Sequence, residues 1–236
     1  MSHHGPGCAD PSGCAEPPGC AELPLGATTE NASKKAGAPR QETHLGWYSR
    51  GYLPHFDAPH VIQHVTFRLA DALPAQQLAA LERELDTIAP DSRPALKRKR
   101  IEQLADSGHG CCILRQPWAA QLVQDALLHF DGQRYRLLAW CVMPNHVHVL
   151  FEVLPGHPLG RVIQTWRGHT GHQLAPHMPA RSDDGTRRVW QRGYWDRYIR
   201  DPKHYVAAIQ YIENNPVKAG LAAQPEDWPW SSARQR

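Results

Sequence analysis

The chain lacks both a long apolar run and a strong charge of either sign. A membrane-spanning helix needs about 20 consecutive, mostly apolar residues, and no stretch of this sequence approaches that length. The N-terminus does not show the pattern of a secretory signal peptide either. Lys and Arg number 26 and Asp and Glu 23, so the net charge of +3 neither demands nor excludes a nucleic-acid partner. We therefore expect a cytoplasmic protein with no membrane contact.

The sequence also lacks the cysteine pattern of a disulfide-bonded scaffold. Its six cysteines are three evenly spaced residues near the N-terminus, an adjacent pair and one residue in a predicted core strand: Cys8, Cys14, Cys20, Cys111, Cys112 and Cys141. This arrangement favours a reducing compartment. The first three have no fourth ligand at a zinc-like spacing, so a zinc site there is the less favoured interpretation.

The composition changes near residue 45. Residues 1–45 are rich in Pro, Gly and Ala and contain a degenerate six-residue repeat around the three cysteines. No periodic apolar face exists in this part, so it cannot bury enough surface to fold alone. We predict a disordered tail over 1–45, of a role that the sequence does not reveal, and a folded domain over 46–236.

Strand and helix patterns interleave along the folded part. The pattern predicts a strand over 61–69, a helix over 74–88, a second helix in the basic segment that follows, through residue 104, and a third helix over 116–130. Strands over 135–140 and 147–153 come next, followed by a helix over 158–174 and a loop over 175–186. The last predicted elements are an extended segment over 189–199 and a helix that begins at residue 202. The strands over 135–140 and 147–153 are expected to be antiparallel neighbours. Hairpins rather than repeated βαβ units favour an α+β sandwich with a mainly antiparallel sheet.

A histidine pair is the most informative local feature. His146 and His148 flank Val147 in a run that is typical of a buried strand. Because side chains alternate faces along a strand, the two imidazoles point the same way, and together they can bind one divalent metal. The chain holds 15 histidines, so an incidental or structural pair is the alternative on this evidence alone.

A tyrosine and an amide follow on a predicted helix. Tyr211 and Asn215 are four residues apart and would share one helix face. A phenol can attack a phosphodiester when a metal polarises the phosphoryl oxygen, and a pair of imidazoles usually needs a third protein ligand. Spacing alone favours the structural alternative, in which Tyr211 packs and Asn215 ends the helix before Pro216.

Arginines and tryptophans cluster shortly before this helix. Arg192 and Arg197 alternate with Trp190 and Trp195 in a pattern that suits contacts to phosphates and to unpaired bases. Solvated arginines and core tryptophans are the alternative for each residue taken singly.

Several motifs together resemble one family. The segment Pro144 to His148 resembles the HUH motif of single-tyrosine DNA transposases, and the segment Tyr211 to Leu221 is similar to the tyrosine-helix signature of their REP-associated branch. Further segments, at 47–52, 189–197 and 228–232, also look like that branch. The resemblance covers roughly residues 47 to 233, with its motifs in the expected order.

The resemblance implies a ferredoxin-like α+β fold, with helices packed on the sheet, and Mg²⁺ or Mn²⁺ as cofactor. It also implies single-stranded DNA, often containing hairpins, as substrate. Carried over by position, His146 and His148 would bind the metal, Tyr211 would be the nucleophile, and Asn215 would stand where the family has a third, amide-bearing ligand. The segment 90–109 departs from the family, because it is longer and more basic than a compact core requires.

The resulting hypothesis is a metal-dependent DNA endonuclease and strand transferase that acts through a 5′-phosphotyrosine intermediate. One alternative is a metal nuclease in which water attacks and Tyr211 only packs. The other is a non-catalytic protein that binds hairpin DNA. The sequence leaves open the DNA target, the choice between monomer and homodimer, and whether the protein mobilises DNA or has a domesticated role.

Overall fold

The computed structural model describes residues 43–49, 54–179 and 187–235. The strands are β1 (Gly46–Ser49), β2 (Pro54–Asp57), β3 (Ile62–Arg68), β4 (Tyr135–Val142), β5 (His146–Val153) and β6 (Trp195–Tyr198). The helices are α1 (Ala75–Asp86), α2 (Arg93–Asp106), α3 (Pro117–Leu128), α4 (Leu159–Leu174), α5 (Pro202–Glu213) and α6 (Asn215–Lys218). Short 3₁₀ turns lie at Pro90–Ser92, Ile113–Arg115, Ala175–His177, Pro225–Asp227 and Ser232–Gln235.

Four strands form the central sheet, in the order β4-β5-β3-β6, and every neighbouring pair is antiparallel. Helices connect β3 to β4 and α4 connects β5 to β6, while β4 and β5 form a hairpin. This is the β-α-β-β-α-β succession of a ferredoxin-like fold. The α+β fold is thus confirmed, and so is the antiparallel pairing of the strands predicted over 135–140 and 147–153, which correspond to β4 and β5.

One face of the sheet packs on α3 and α4. Val147, Val149 and Phe151 of β5 are fully buried there, and the ring of Phe151 lies edge-on to Trp166 of α4 at 4.9 Å between ring centroids. Each apolar side chain buried in this way contributes about 1.5–3 kcal/mol. The strand therefore turns its apolar alternation toward this core and its histidines toward the opposite face.

We call that opposite face the site face. Strand pairing places several side chains on this face, because residues directly opposite in an antiparallel pair share one face of the sheet. These pairs are Thr66–His148, Arg68–His146, His64–Leu150, His64–Arg197 and Thr66–Trp195. Helix α5 covers the neighbouring part of this face, packing Ala208 and Ile212 onto Leu150 and Met143. The histidines thus lie beside the helix that carries Tyr211.

The prediction of one continuous helix through Tyr211 and Asn215 is wrong. Helix α5 ends at Glu213, and Asn215 begins the separate short helix α6. Pro216 explains the break, because a proline lacks an amide hydrogen and its ring clashes with the carbonyl one turn earlier.

Other predictions met mixed outcomes. The hairpin of β1 and β2 was not predicted, and only four residues of the expected extended segment 189–199 form a strand. Residues 1–42 of the expected disordered tail, with their cysteines, lie outside the described residues, as do residues 180–186 of the expected loop. In the described part of the chain, no helix is both long enough and apolar enough to span a bilayer.

Candidate active site

The two histidines of β5 face each other at short range. The Nε2 atoms of His146 and His148 are 3.0 Å apart. Both side chains are almost fully buried, at 1% and 2% exposure. Imidazoles buried this closely need a shared proton or a shared cation between their nitrogens.

Hydrogen bonds on the far side of each ring indicate which nitrogen is free. Asn145 donates from Nδ2 to the carbonyl of His109 at 3.0 Å, which leaves its Oδ1 to accept from His146 Nδ1 at 2.7 Å. A neutral imidazole with hydrogen on Nδ1 has a lone pair on Nε2. His148 Nδ1 lies 2.9 Å from Thr66 Oγ1, which can accept in the same way. Both Nε2 atoms can therefore serve as ligands, each ring held by a polar partner, as in many metal sites.

Burial keeps these rings neutral. It lowers the pKa of His146 to about 3, and the charge of Arg68 adds to the effect. Burial also lowers the pKa of His148 well below its ordinary value, with His146, His64, Arg68 and Lys218 contributing. Neutral imidazoles are the form that binds metal.

Asn215 completes the group. Its Nδ2 lies 3.3 Å from His148 Nε2, while its Oδ1 is buried and has no hydrogen-bond partner among the described residues. A half-turn of the amide, which exchanges two nearly indistinguishable atoms, would aim the oxygen at the histidines instead. An amide oxygen is a suitable ligand for a hard divalent cation.

The group fits a divalent cation. Two bonds of about 2.1 Å at a right angle place their donor atoms about 3.0 Å apart, the separation of the two Nε2 atoms. The described residues include no group of three His, Cys, Asp or Glu side chains that could hold a metal. A cation at the two imidazoles would therefore need a third donor of another type, and among the described residues the Asn215 amide lies beside them.

Tyr211 lies against this group. Its half-buried ring is edge-on to His148 at 5.4 Å between centroids, and Lys218 Nζ lies 4.8 Å from the ring centroid. Burial raises the pKa of the Tyr211 phenol above its ordinary value, and the charges of Glu102 and Asp106 raise it further. A hydrogen bond with Asn215 and the charge of Arg68 lower it, but by less. The phenol is therefore protonated at neutral pH. The structure thus brings together all four residues expected to form the catalytic centre.

Sequence reasoning missed three further side chains at this place. His64 is buried, with its ring 5.6 Å from His148 and 5.7 Å from Tyr211 between centroids. Arg68 lies opposite His146 on β3, and Asp106 reaches within 3.6 Å of His146 from α2. The alternation of His64, Thr66 and Arg68 along β3 is a sequence signal that could have revealed the first two.

Arg197 and Trp195 lie on the site face. Trp195 is half-buried, with its ring 5.2 Å from that of His64. Arg197 lies near two other arginines. Burial lowers the pKa of its guanidinium, and the positive charges of Arg98 and Arg200 lower it further. Both residues therefore remain suitable for contacts to a nucleic acid.

The expectation that Trp190 stacks on a base is wrong for this conformation. Its side chain is in the core at 5% exposure, edge-on to Phe67, and its Nε1 donates to Thr170 Oγ1 at 3.1 Å. A ring enclosed in this way has no free face for a base. Trp190 instead attaches its segment to α4.

A large cleft lies beside α4. Its volume is about 1020 Å³, and α4 and residues 187–195 form much of its lining. Five arginines line it: Arg68, Arg167, Arg187, Arg188 and Arg192. We call it the arginine cleft. Arg68, which lies opposite His146 on β3, is one of these lining residues, whereas His146, His148, Tyr211 and Asn215 do not line the cleft.

The buried histidines predict an acid-labile fold. The pKa of His64 falls to about 3, because of burial and the charges of His204 and Arg197, and that of His146 falls to the same level. Between pH 3 and the ordinary value of 6.5, the unfolded chain binds protons at these positions and the folded chain does not. The metal-free protein should lose up to about 1.4 kcal/mol of unfolding free energy per pH unit and histidine as the pH falls through that range.

Urea unfolding at a series of pH values measures this slope, and His64→Gln should make it shallower. A free energy of unfolding that stays constant down to about pH 4, or an unchanged slope in the variant, would contradict the burial argument.

Comparison with known proteins identifies similar sequences. Residues 118–215 match the family model described as "Transposase IS200 like". The chain is 28% identical over 113 residues to the "REP-associated tyrosine transposase" of Escherichia coli, covering 48% of this chain and 63% of that protein. A Haemophilus influenzae protein with a provisional form of the same name is 31% identical over 106 residues, covering 42% of this chain and 58% of that protein.

The chain therefore spans about three-fifths of the length of these curated relatives. A solved structure described as a REP-associated tyrosine transposase bound to a REP hairpin shares 19% identity, with a TM-score of 0.49. That match covers 77% of this chain and 81% of the other. The two histidines, Tyr211 and Asn215 all lie within the segment that matches the family model.

Proposed function

We propose that this chain cleaves and joins single-stranded DNA through Tyr211. The premise is that it carries an IS200-like transposase domain and is related to REP-associated tyrosine transposases. The observation that carries the proposal is the position of Tyr211, whose ring lies 5.4 Å from that of His148, itself paired with His146. A nucleophile beside a pair of imidazoles with free Nε2 atoms suits phosphodiester chemistry. We further propose that the protein acts in the cytoplasm, on DNA that forms hairpins.

His146, His148 and Asn215 would hold Mg²⁺ or Mn²⁺, and a cation bound there would offset the negative charge of the scissile phosphate in the transition state. Tyr211 Oη attacks the phosphorus in line. The bond to the 3′-oxygen breaks as the bond to tyrosine forms, which leaves a 5′-phosphotyrosine and a free 3′-hydroxyl. The phenol loses its proton and the leaving oxygen gains one.

Arg68 assists at the phosphate. Its Nε is buried and has no hydrogen-bond partner among the described residues. Lys218, whose Nζ lies 4.8 Å from the centroid of the Tyr211 ring, adds a second positive charge at this place. Together they lower the cost of the extra negative charge that builds up on the phosphate.

Reversal of the first step joins strands. The free 3′-hydroxyl of another strand attacks the phosphotyrosine, restores the phosphodiester and releases Tyr211. One nucleophilic tyrosine per chain means that exchange uses two catalytic centres or the same one twice.

Product ends test the proposal against its two alternatives. A labelled hairpin oligonucleotide incubated with Mn²⁺ should yield one fragment with a free 3′-hydroxyl and another covalently bound to protein at its 5′ end. A nuclease that uses water would leave both fragments free of protein. A hairpin-binding protein without activity would shift the oligonucleotide in a gel and leave it uncut.

The arginines are expected to bind the DNA backbone. Arg192 is exposed at the arginine cleft, and Arg197 lies on the site face. Replacing either with glutamine should weaken single-stranded DNA binding similarly for all sequences. Each replacement should reduce the slope of log affinity against log salt by about 0.7.

Fluorescence anisotropy over a salt series measures that slope. Arg136→Gln is the matched control, because Arg136 is exposed on β4, at the opposite edge of the sheet, and pairs with Glu152. Equal slopes for Arg197→Gln, Arg136→Gln and the unmodified protein would remove Arg197 from the interface.

A further inference from the structure

We propose that Asp106 is an acidic partner of the cation at His146 and His148, acting through its charge and through water rather than as a direct ligand. The inference rests on the cation site of the proposed function and assigns to it a residue from α2. Asp106 lies outside the segment 118–215 that matches the transposase family model.

The position of Asp106 supports this role. Its Oδ1 lies 3.6 Å from His146 Nε2, the atom that faces His148. The side chain is 23% exposed, so water reaches the carboxylate. The distance is too long for a hydrogen bond. It suits a carboxylate that acts at the edge of a coordination sphere, and Mg²⁺ usually keeps several of its waters in proteins.

The charge balance of the site requires such a group. Two neutral imidazoles and one amide leave both positive charges of a divalent cation uncompensated, and Arg68 and Lys218 add to them. Holding so much positive charge in a largely buried place is costly without a negative partner. Asp106 faces this same region: burial raises the pKa of its carboxyl group and Glu102 adds to the effect, while the nearby charges of Lys218 and Arg68 act in the opposite direction.

The preference of Mg²⁺ and Mn²⁺ for oxygen donors also favours a role for Asp106. Imidazoles suit zinc, copper and nickel, whereas Mg²⁺ and Mn²⁺ prefer oxygen. The Asn215 amide, once turned so that its unpartnered Oδ1 replaces Nδ2 beside His148, gives one oxygen donor at this place. The Asp106 carboxylate adds a second, charged one and tips the site toward hard cations.

Helix α2 packs beside α1. Lys97 and Arg100 form ion pairs with Glu82 and Glu84 of α1. Lys97 and Arg100 therefore direct their charges toward α1. The acidic end of the helix is left beside His146, which gives a function to a segment that is longer than a compact core requires.

Glu102 provides a matched control. It lies one helical turn before Asp106, and its charge acts on Tyr211 and on Arg68. Asp106→Asn and Glu102→Gln each remove one negative charge from the same helix face with little change of shape. Only the first should alter cation binding directly.

The test is Mn²⁺ binding to the full chain without DNA, followed by electron paramagnetic resonance. Asp106→Asn should weaken Mn²⁺ binding by about 10- to 100-fold, the usual effect of removing an outer partner of a metal site, while Glu102→Gln should change it by less than about threefold. Zn²⁺ affinity should fall less than Mn²⁺ affinity in Asp106→Asn, because zinc relies on the imidazoles. Circular dichroism of the metal-free variants checks the fold, and Asp106→Ser is a second variant should Asp106→Asn fail to fold.

Equal Mn²⁺ affinities for Asp106→Asn and Glu102→Gln would overturn the inference, and so would a chain that binds no Mn²⁺. The proposed function is judged separately by the covalent adduct. An adduct on Tyr211 together with unchanged Mn²⁺ binding in Asp106→Asn would leave the function standing without Asp106. Loss of Mn²⁺ binding in Asp106→Asn without any adduct in the unmodified protein would support the role of Asp106 and contradict the proposed function.

Discussion

Replacing Tyr211 with phenylalanine is expected to abolish the covalent DNA adduct and to reduce strand cleavage on the order of 10⁴-fold or more. The change removes one oxygen atom and keeps the ring that packs against His148 and His64. The fold and Mn²⁺ binding should therefore remain. A gel-based cleavage assay, with denaturing electrophoresis for the adduct, measures both losses.

Tyr205→Phe is the matched control for that experiment. Tyr205 lies on the same helix, is also half-buried, and packs in the apolar cluster between α5 and the sheet. This variant should cleave at the normal rate. Full cleavage by Tyr211→Phe would instead support a nuclease that uses water, with Tyr211 as a packing residue.

Replacing His148 with glutamine should have the second largest effect. Glutamine keeps a polar side chain opposite Thr66 but removes the Nε2 that lies 3.0 Å from His146. Mn²⁺ binding should become undetectable, and cleavage should fall by roughly 10²-fold or more, because charge on the phosphate is no longer offset. Titration of Mn²⁺ and cleavage rates at saturating DNA measure the two effects.

His172→Gln controls for the loss of a histidine, because His172 lies exposed on α4 and not on the site face. It should bind Mn²⁺ and cleave DNA normally. His148→Gln that folds, cleaves DNA normally and still depends on Mn²⁺ would mean that the cation binds elsewhere.

The alternation along β5 allowed much of the site to be predicted. Val147 and Val149 are fully buried on the core face, and His146 and His148 lie together on the other. Such a pattern is local, since neighbouring residues of a strand point to opposite faces whatever the rest of the chain does. The predicted neighbours β4 and β5 pair as expected, because the short connection between Val142 and His146 favours an antiparallel hairpin.

Predictions that depended on distant contacts were less successful. Trp190 stands among arginines in the sequence, yet its ring packs on Phe67 from another strand. Asp106 ends a basic helix, and nothing local indicates that the helix end lies beside His146. Pro216 was visible in the sequence, but its presence did not reveal that Asn215 would still lie near His148 after the helix break. Tertiary packing determined all three outcomes.

The central claim is that Tyr211 carries the cleaved DNA. The most direct measurement is to incubate the protein with labelled single-stranded hairpin DNA and Mn²⁺, digest the adduct with protease, and identify the modified peptide by mass spectrometry. The account predicts a nucleotide attached through its 5′-phosphate to Tyr211. An adduct on another residue, or cleavage that leaves every peptide unmodified, would contradict it.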